Sequence, residues 1–193
     1  MQSNLAEKRD ELYTFEDYLT WDDGQRWEII EGRAYLMAAP NEVHHDISMA
    51  LSRRIGDFLE GKSCKLFVAP FEVRLFPSSK NAKKYEKGLV QPDLFVVCDS
   101  SKRDGARING APDFIIEILS PSNQKNDRYL KFKQYFLAGV REYWIVDPES
   151  RVVQVCLLEE KRYFVMVYDD SYILPCTVLP GLEIPLGDIF PAD

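Results

Sequence analysis

One charge stands where hydrophobicity leaves no room for it. Glu117 interrupts the run Phe114-Ile115-Ile116-Glu117-Ile118-Leu119. A run of that kind reads as a buried strand, and a carboxylate inside it is costly unless a cation or hydrogen bonds compensate. Two readings follow: a structural ion pair with an arginine, or a ligand to a metal ion. A hard-cation site needs further oxygen donors, and Asp93 and Asp113 are the near candidates, each following a proline. Asp113 lies four residues from Glu117 on the same strand, about 13 Å away at strand rise, too far to share one ion. Asp93 opens the preceding apolar run, Asp93-Leu94-Phe95-Val96-Val97. If 93–97 and 114–118 pair antiparallel, Asp93 faces Glu117 at about 5 Å. Two carboxylates so close repel, and a divalent cation relieves the repulsion. Asp113 is left to cap or end its strand.

The third candidate is Lys131. Asp127, Lys131 and Tyr135 recur at four-residue spacing and share one face of a helix expected over 127–138, while Lys133 points elsewhere. If that face lies over the ends of the strands, Lys131 reaches the carboxylates. Spacing alone leaves it an ordinary solvated lysine.

The elements that must hold these groups can be read from apolar periodicity. A short helix over 14–19 has Thr14 as its cap. Residues 27–30 and 33–37 form a hairpin across Glu31-Gly32. A helix runs from His45 to Leu59 with Ile47, Leu51, Ile55 and Phe58 on one face, stopped by Gly61. Residues 65–76 read as one long strand, 77–91 as a polar loop, and 93–97, 114–119 and 142–146 as buried strands. Ser120-Pro121-Ser122-Asn123 breaks the chain before the helix, which Gly139 ends. A second hairpin spans 152–158 and 162–168, and a last strand lies near 172–174. The fold class is mixed α/β (α+β), with a central sheet flanked by helices and a hairpin added at each end.

At 193 residues the chain fits a single domain over 1–193, with 1–12 loose; 46% hydrophobic residues suffice for a core. No long apolar stretch predicts a membrane span. The opening MQSNLAEKRDELYTF lacks the basic patch and apolar run of a secretory signal. Cys64, Cys98, Cys156 and Cys176 are scattered, so neither a disulfide framework nor a zinc knuckle is expected, and a reducing cytoplasm is the expected location. The net charge of −7 disfavours a protein that coats nucleic acid non-specifically. It leaves a nuclease open, because a metal supplies local positive charge. Basic residues also cluster, as Lys80, Lys83, Lys84 and Lys87, as Lys102, Arg103 and Arg107, and as Lys125 and Arg128.

Several motifs occur in order. Pro92-Asp93 is followed by Glu117-Ile118-Leu119-Ser120-Pro121-Ser122-Asn123, then by Asp127, Lys131 and Tyr135, then by Gly139-Val140 and Glu142-Tyr143-Trp144-Ile145-Val146-Asp147-Pro148. Together with Glu28-Ile29-Ile30-Glu31-Gly32 and His44, Ile47 and Leu51 upstream, this pattern resembles the Uma-type family of restriction endonucleases over about residues 14–190. That family belongs to the PD-(D/E)XK nuclease superfamily. The superfamily's usual lysine stands two residues after the acid, where this chain has Leu119, so the resemblance moves the role to Lys131.

The resemblance implies a restriction-endonuclease-like core and metal-dependent hydrolysis of DNA phosphodiesters. Mg²⁺ or Mn²⁺ would be held by Asp93, Glu117 and the Ile118 carbonyl, with Lys131 acting on the water or the transition state. Glu31 is an accessory acid or a solvated turn residue. His44 is an outer contact of the site or a locally bonded helix-start residue. A homodimer is expected for a double-strand cut, with the 152–168 hairpin as candidate interface. The competing readings are a catalytically inactive nuclease-fold module that binds DNA or a protein, and a structural protein in which Glu117 pairs with Lys131.

Overall fold

Reciprocal capping starts the first helix. The Asp17 amide donates to the Thr14 hydroxyl (3.0 Å), and the Thr14 amide donates to the Asp17 carboxylate (2.7 Å), opening α1 (Phe15–Tyr18). The hairpin follows as expected. β1 (Trp27–Ile30) and β2 (Arg33–Leu36) pair antiparallel across Glu31 and Gly32, both with positive φ (52° and 82°). Asn41 caps α2 (Glu42–Leu59) by accepting from the His44 amide (2.9 Å); Ile47, Leu51, Ile55 and Leu59 form its buried stripe. The computed structural model describes residues 12–77, 86–120 and 126–191. Lys80, Lys83, Lys84, Lys125, the 121–123 break and residues 1–11 of the N-terminal segment lie outside the described residues.

The strand expected over 65–76 is two. Pro70 cannot donate to a ladder, and the chain divides there into β3 (Lys65–Val68) and β4 (Glu72–Arg74), which join different sheets. Three short strands were not foreseen: β5 (Gly88–Val90), within the stretch read as a polar loop, β7 (Arg107–Asn109) and β13 (Glu183–Pro185). The remaining elements match expectation: β6 (Leu94–Val97), β8 (Phe114–Ile118), α3 (Phe132–Ala138), β9 (Glu142–Asp147), β10 (Val152–Glu159), β11 (Arg162–Asp169) and β12 (Ile173–Pro175). A π-helical turn, Asn126–Lys131, leads into α3, which Gly139 ends in the left-handed region (φ 84°).

Six strands form the central mixed sheet in the order β11-β10-β9-β8-β6-β3, with β8 and β9 parallel and the other pairs antiparallel. Alternation sorts its residues into two cores. Leu94, Val96, Phe114, Ile116 and Trp144 face α2 and the C-terminal segment. Phe95, Val97, Ile115, Tyr143 and Ile145 face α3 and a second sheet, β2-β1-β5-β4-β7. The N-terminal hairpin is therefore the margin of a second layer. β12 and β13 make a separate two-stranded pair.

One expectation about cysteine is overturned. Cys64 and Cys98 form a disulfide, while Cys156 and Cys176 are free and buried. The β3–β6 register sets Lys65 against Val97, so the next pair outward is Cys64 and Cys98. A separation of 34 residues hid that adjacency in the sequence. No helix among the described residues is long and apolar enough to cross a membrane.

Candidate active site

The β6–β8 register sets Leu94 against Ile116, which places Asp93 across from Glu117 one step outward. Both carboxylates then lie on the face that carries Phe95 and Ile115, toward α3 and the second sheet. Asp93 is held from two sides. Its Oδ2 accepts from the Ile118 amide (2.7 Å) and lies 3.0 Å from His44 Nε2, at the start of α2. Asp113 is elsewhere, accepting from the Cys98 amide (2.8 Å) and pairing with Arg141 (3.2 Å), as a strand-end residue should.

Glu117 is 1% exposed. Its Oε1 accepts from Tyr135 Oη (2.5 Å) and from Lys131 Nζ (3.1 Å). Lys131 closes the π-helical turn and Tyr135 lies one α-turn later, so both descend from one face onto the same oxygen. Lys131 is buried (3% exposed) rather than solvated. Burial pushes the Tyr135 hydroxyl well above the ordinary tyrosine range, and the neighbouring charges of Glu117 and Glu28 push it further.

The residue that sequence reading missed is Glu28. It sits on β1, a strand buried along its whole length, and its Oε1 lies 3.0 Å from Lys131 Nζ and accepts from the Gln91 amide (2.8 Å). The signal was present: Trp27-Glu28-Ile29-Ile30 is a charge inside an apolar run, the same anomaly as Glu117. Glu31, read as an accessory acid or a solvated turn residue, stays at the turn. It is half exposed and accepts from Lys133 (2.8 Å) and Gln134 (3.2 Å), away from the cluster. That bond raises the Lys133 ammonium above its ordinary value.

The geometry thus gathers Asp93, Glu117 and Lys131, adds Glu28, Tyr135 and His44, and leaves Glu31 outside. With the carboxylates and the lysine ionised and the imidazole of His44 neutral, three carboxylates (Glu28, Asp93, Glu117) face one ammonium (Lys131), an excess of two negative charges. Excess negative charge in a mostly buried place calls for protons or a cation. Among the described residues no three His, Cys, Asp or Glu side chains converge as a metal-chelating group. An ion here would draw on the carboxylates of Asp93 and Glu117 and a backbone carbonyl. That all-oxygen donor set fits a hard divalent cation.

Comparison with known proteins gives a consistent set of likenesses. Residues 15–187 match the model of the family Uma2, described as "Putative restriction endonuclease". "Uncharacterized protein slr1290" of Synechocystis sp. is 30% identical over 138 residues, covering 70% of this chain and 68% of that protein. A crystal structure from Anabaena variabilis, described as "a putative nuclease belonging to DUF820", superposes with a TM-score of 0.73 at 20% identity. The match covers 92% of this chain and 97% of that one, so the two share a fold.

Proposed function

The chain belongs to the Uma2 family, and from that premise we propose that it is a nuclease that hydrolyses DNA phosphodiesters with Mg²⁺ or Mn²⁺ at the Asp93–Glu117–Lys131 cluster. The observation that carries the reading is the excess of carboxylates over ammonium, three to one, around Lys131 and Asp93, at the ends of two paired strands. Asp93, Glu117 and the Ile118 carbonyl would hold the cation, which when bound lowers the pKa of water and offsets phosphoryl charge.

The chain's own residues supply the rest. The Ile118 amide and His44 fix the Asp93 carboxylate against rotation, so it presents a set orientation to a ligand. Tyr135 does the same for Glu117 from above. Lys131, held between Glu28 and Glu117, brings one positive charge to the place where a phosphate would gain negative charge.

One observation favours a second reading, in which the fold is retained as a catalytically inactive module or a structural unit. Glu117 Oε1 is shared by Lys131 and Tyr135, so a buried ion pair already compensates it. The test separates the two. Purified protein with Mn²⁺ should nick or linearise plasmid DNA, Asp93→Ala should remove the activity, and titration calorimetry should detect Mn²⁺ binding that Asp93→Ala abolishes. Cleavage that persists in Asp93→Ala refutes the site; no cleavage and no heat of Mn²⁺ binding favour the inactive reading.

A further inference from the structure

β11 ends the six-stranded sheet, and among the described residues nothing pairs with its outer side. It runs eight residues against β10 with an unbroken register, Val152↔Asp169 through Glu159↔Arg162, so no bulge bends it away. Natural sheets guard such edges with prolines, bulges or charges within the strand. Between Arg162 and Asp169 this strand has none of them: the sequence is Tyr163-Phe164-Val165-Met166-Val167-Tyr168. Four successive apolar side chains stand open on both faces, Phe164 50%, Val165 48%, Met166 36% and Val167 61% exposed. On the α3 side the apolar surface continues into a cavity of about 470 Å³ lined by Tyr129, Phe132, Lys133, Gln154 and Val165.

We propose that β11 is the interface of a two-fold homodimer, pairing antiparallel with β11 of a second copy to continue the sheet from one protomer into the other. Charge selects the occupant and the direction. The strand opens on Arg162, preceded by Glu159, Glu160 and Lys161, and closes on Asp169, followed by Asp170. Antiparallel self-pairing brings the basic end of each copy to the acidic end of the other, whereas parallel pairing sets like beside like. A two-fold axis through such a pair requires one residue to lie opposite its own copy, and both copies then present the same face. With Val165 on the axis, Phe164 meets Met166, Tyr163 meets Val167, and Lys161 meets Asp169 of the second copy. Arg162 then meets Tyr168, and just outside the strand Glu160 lies opposite Asp170, so the favourable contacts are the apolar pairs and Lys161 with Asp169. This inference does not rest on the nuclease reading: loss of cleavage leaves it standing, and a monomer leaves the active site intact.

Light scattering on a sizing column and sedimentation equilibrium of the full chain test it. The wild type is expected as a dimer at micromolar concentration. Val165→Lys places two ammonium groups against each other at the axis and should raise the dimer dissociation constant by about a hundredfold or more. Val165 is an exposed position, and circular dichroism checks that the variant folds. Lys161→Glu and Asp169→Lys should each weaken the dimer, and the double variant should recover most of the loss. A monomeric wild type overturns the proposal. So does a folded Val165→Lys protein that dimerises as the wild type does, or a double variant no tighter than the singles.

Discussion

Lys131 offers the sharpest test of how the site is built, because it is buried and holds two buried carboxylates apart. Lys131→Met keeps an unbranched apolar stem but removes the ammonium, which lies 3.0 Å from Glu28 and 3.1 Å from Glu117. Those acids are 6% and 1% exposed, so water cannot replace the lost partner. Breaking a buried pair from one side costs about 3–5 kcal/mol. For a domain of this size that lowers the melting temperature by about 6–20 °C. Adding Glu28→Gln to the variant should recover part of the loss, because it removes one of the two carboxylates left without the ammonium. Thermal melts at pH 8 decide the matter. A Lys131→Met protein that melts within about 2 °C of the wild type at pH 8 would refute the buried ion network as a source of stability.

Tyr135→Phe should cost about 1.5–3 kcal/mol at neutral pH, the value of a hydrogen bond to a buried charged acceptor. Because the folded Tyr135 pKa lies above its unfolded value of about 10, its proton stabilises the fold below that pH, and the contribution is lost as pH rises beyond it. Urea unfolding from neutral to alkaline pH should thus show a shallower alkaline loss in Tyr135→Phe, and an unchanged slope would contradict the burial argument. The disulfide closes a loop of 34 residues. Replacing Cys64 and Cys98 by serine should lower unfolding stability by about 4 kcal/mol on the chain-entropy estimate. A denaturation midpoint that does not move would remove the bond from the account of stability.

What could be read beforehand divides along physical lines. Glu117 was legible because a charge in an apolar strand is a local anomaly. Asp93 was legible because antiparallel pairing follows from the apolar runs on either side of one loop. Lys131 was not legible from spacing, since burial of a helix lysine depends on what packs above it, and only resemblance singled it out. Glu28 carries the same local sign as Glu117. A hairpin strand, however, reads as having one wet face, and β1 is covered on both: Ile30 packs into the core shared with the central sheet, and Ile29 packs against Phe15 of α1. The short strands β5 and β7 escaped for a related reason: three residues are too few to show a period, and their strand character comes from the neighbours they pair with. The disulfide depended on the β3–β6 register, which no local pattern encodes.

Lys131 stands between β1 and β8. Glu28 belongs to one sheet and Glu117 to the other, so a single ammonium clasps two layers while also serving as the internal counterion of the site. On the proposed function, a divalent cation that claims Glu117 must compete with that clasp. Tightening the lysine's hold would then make the protein harder to unfold and harder to load with metal; loosening it would do the reverse. On that reading, stability and metal affinity are set against each other through one oxygen atom, Glu117 Oε1, and selection on either property acts on both.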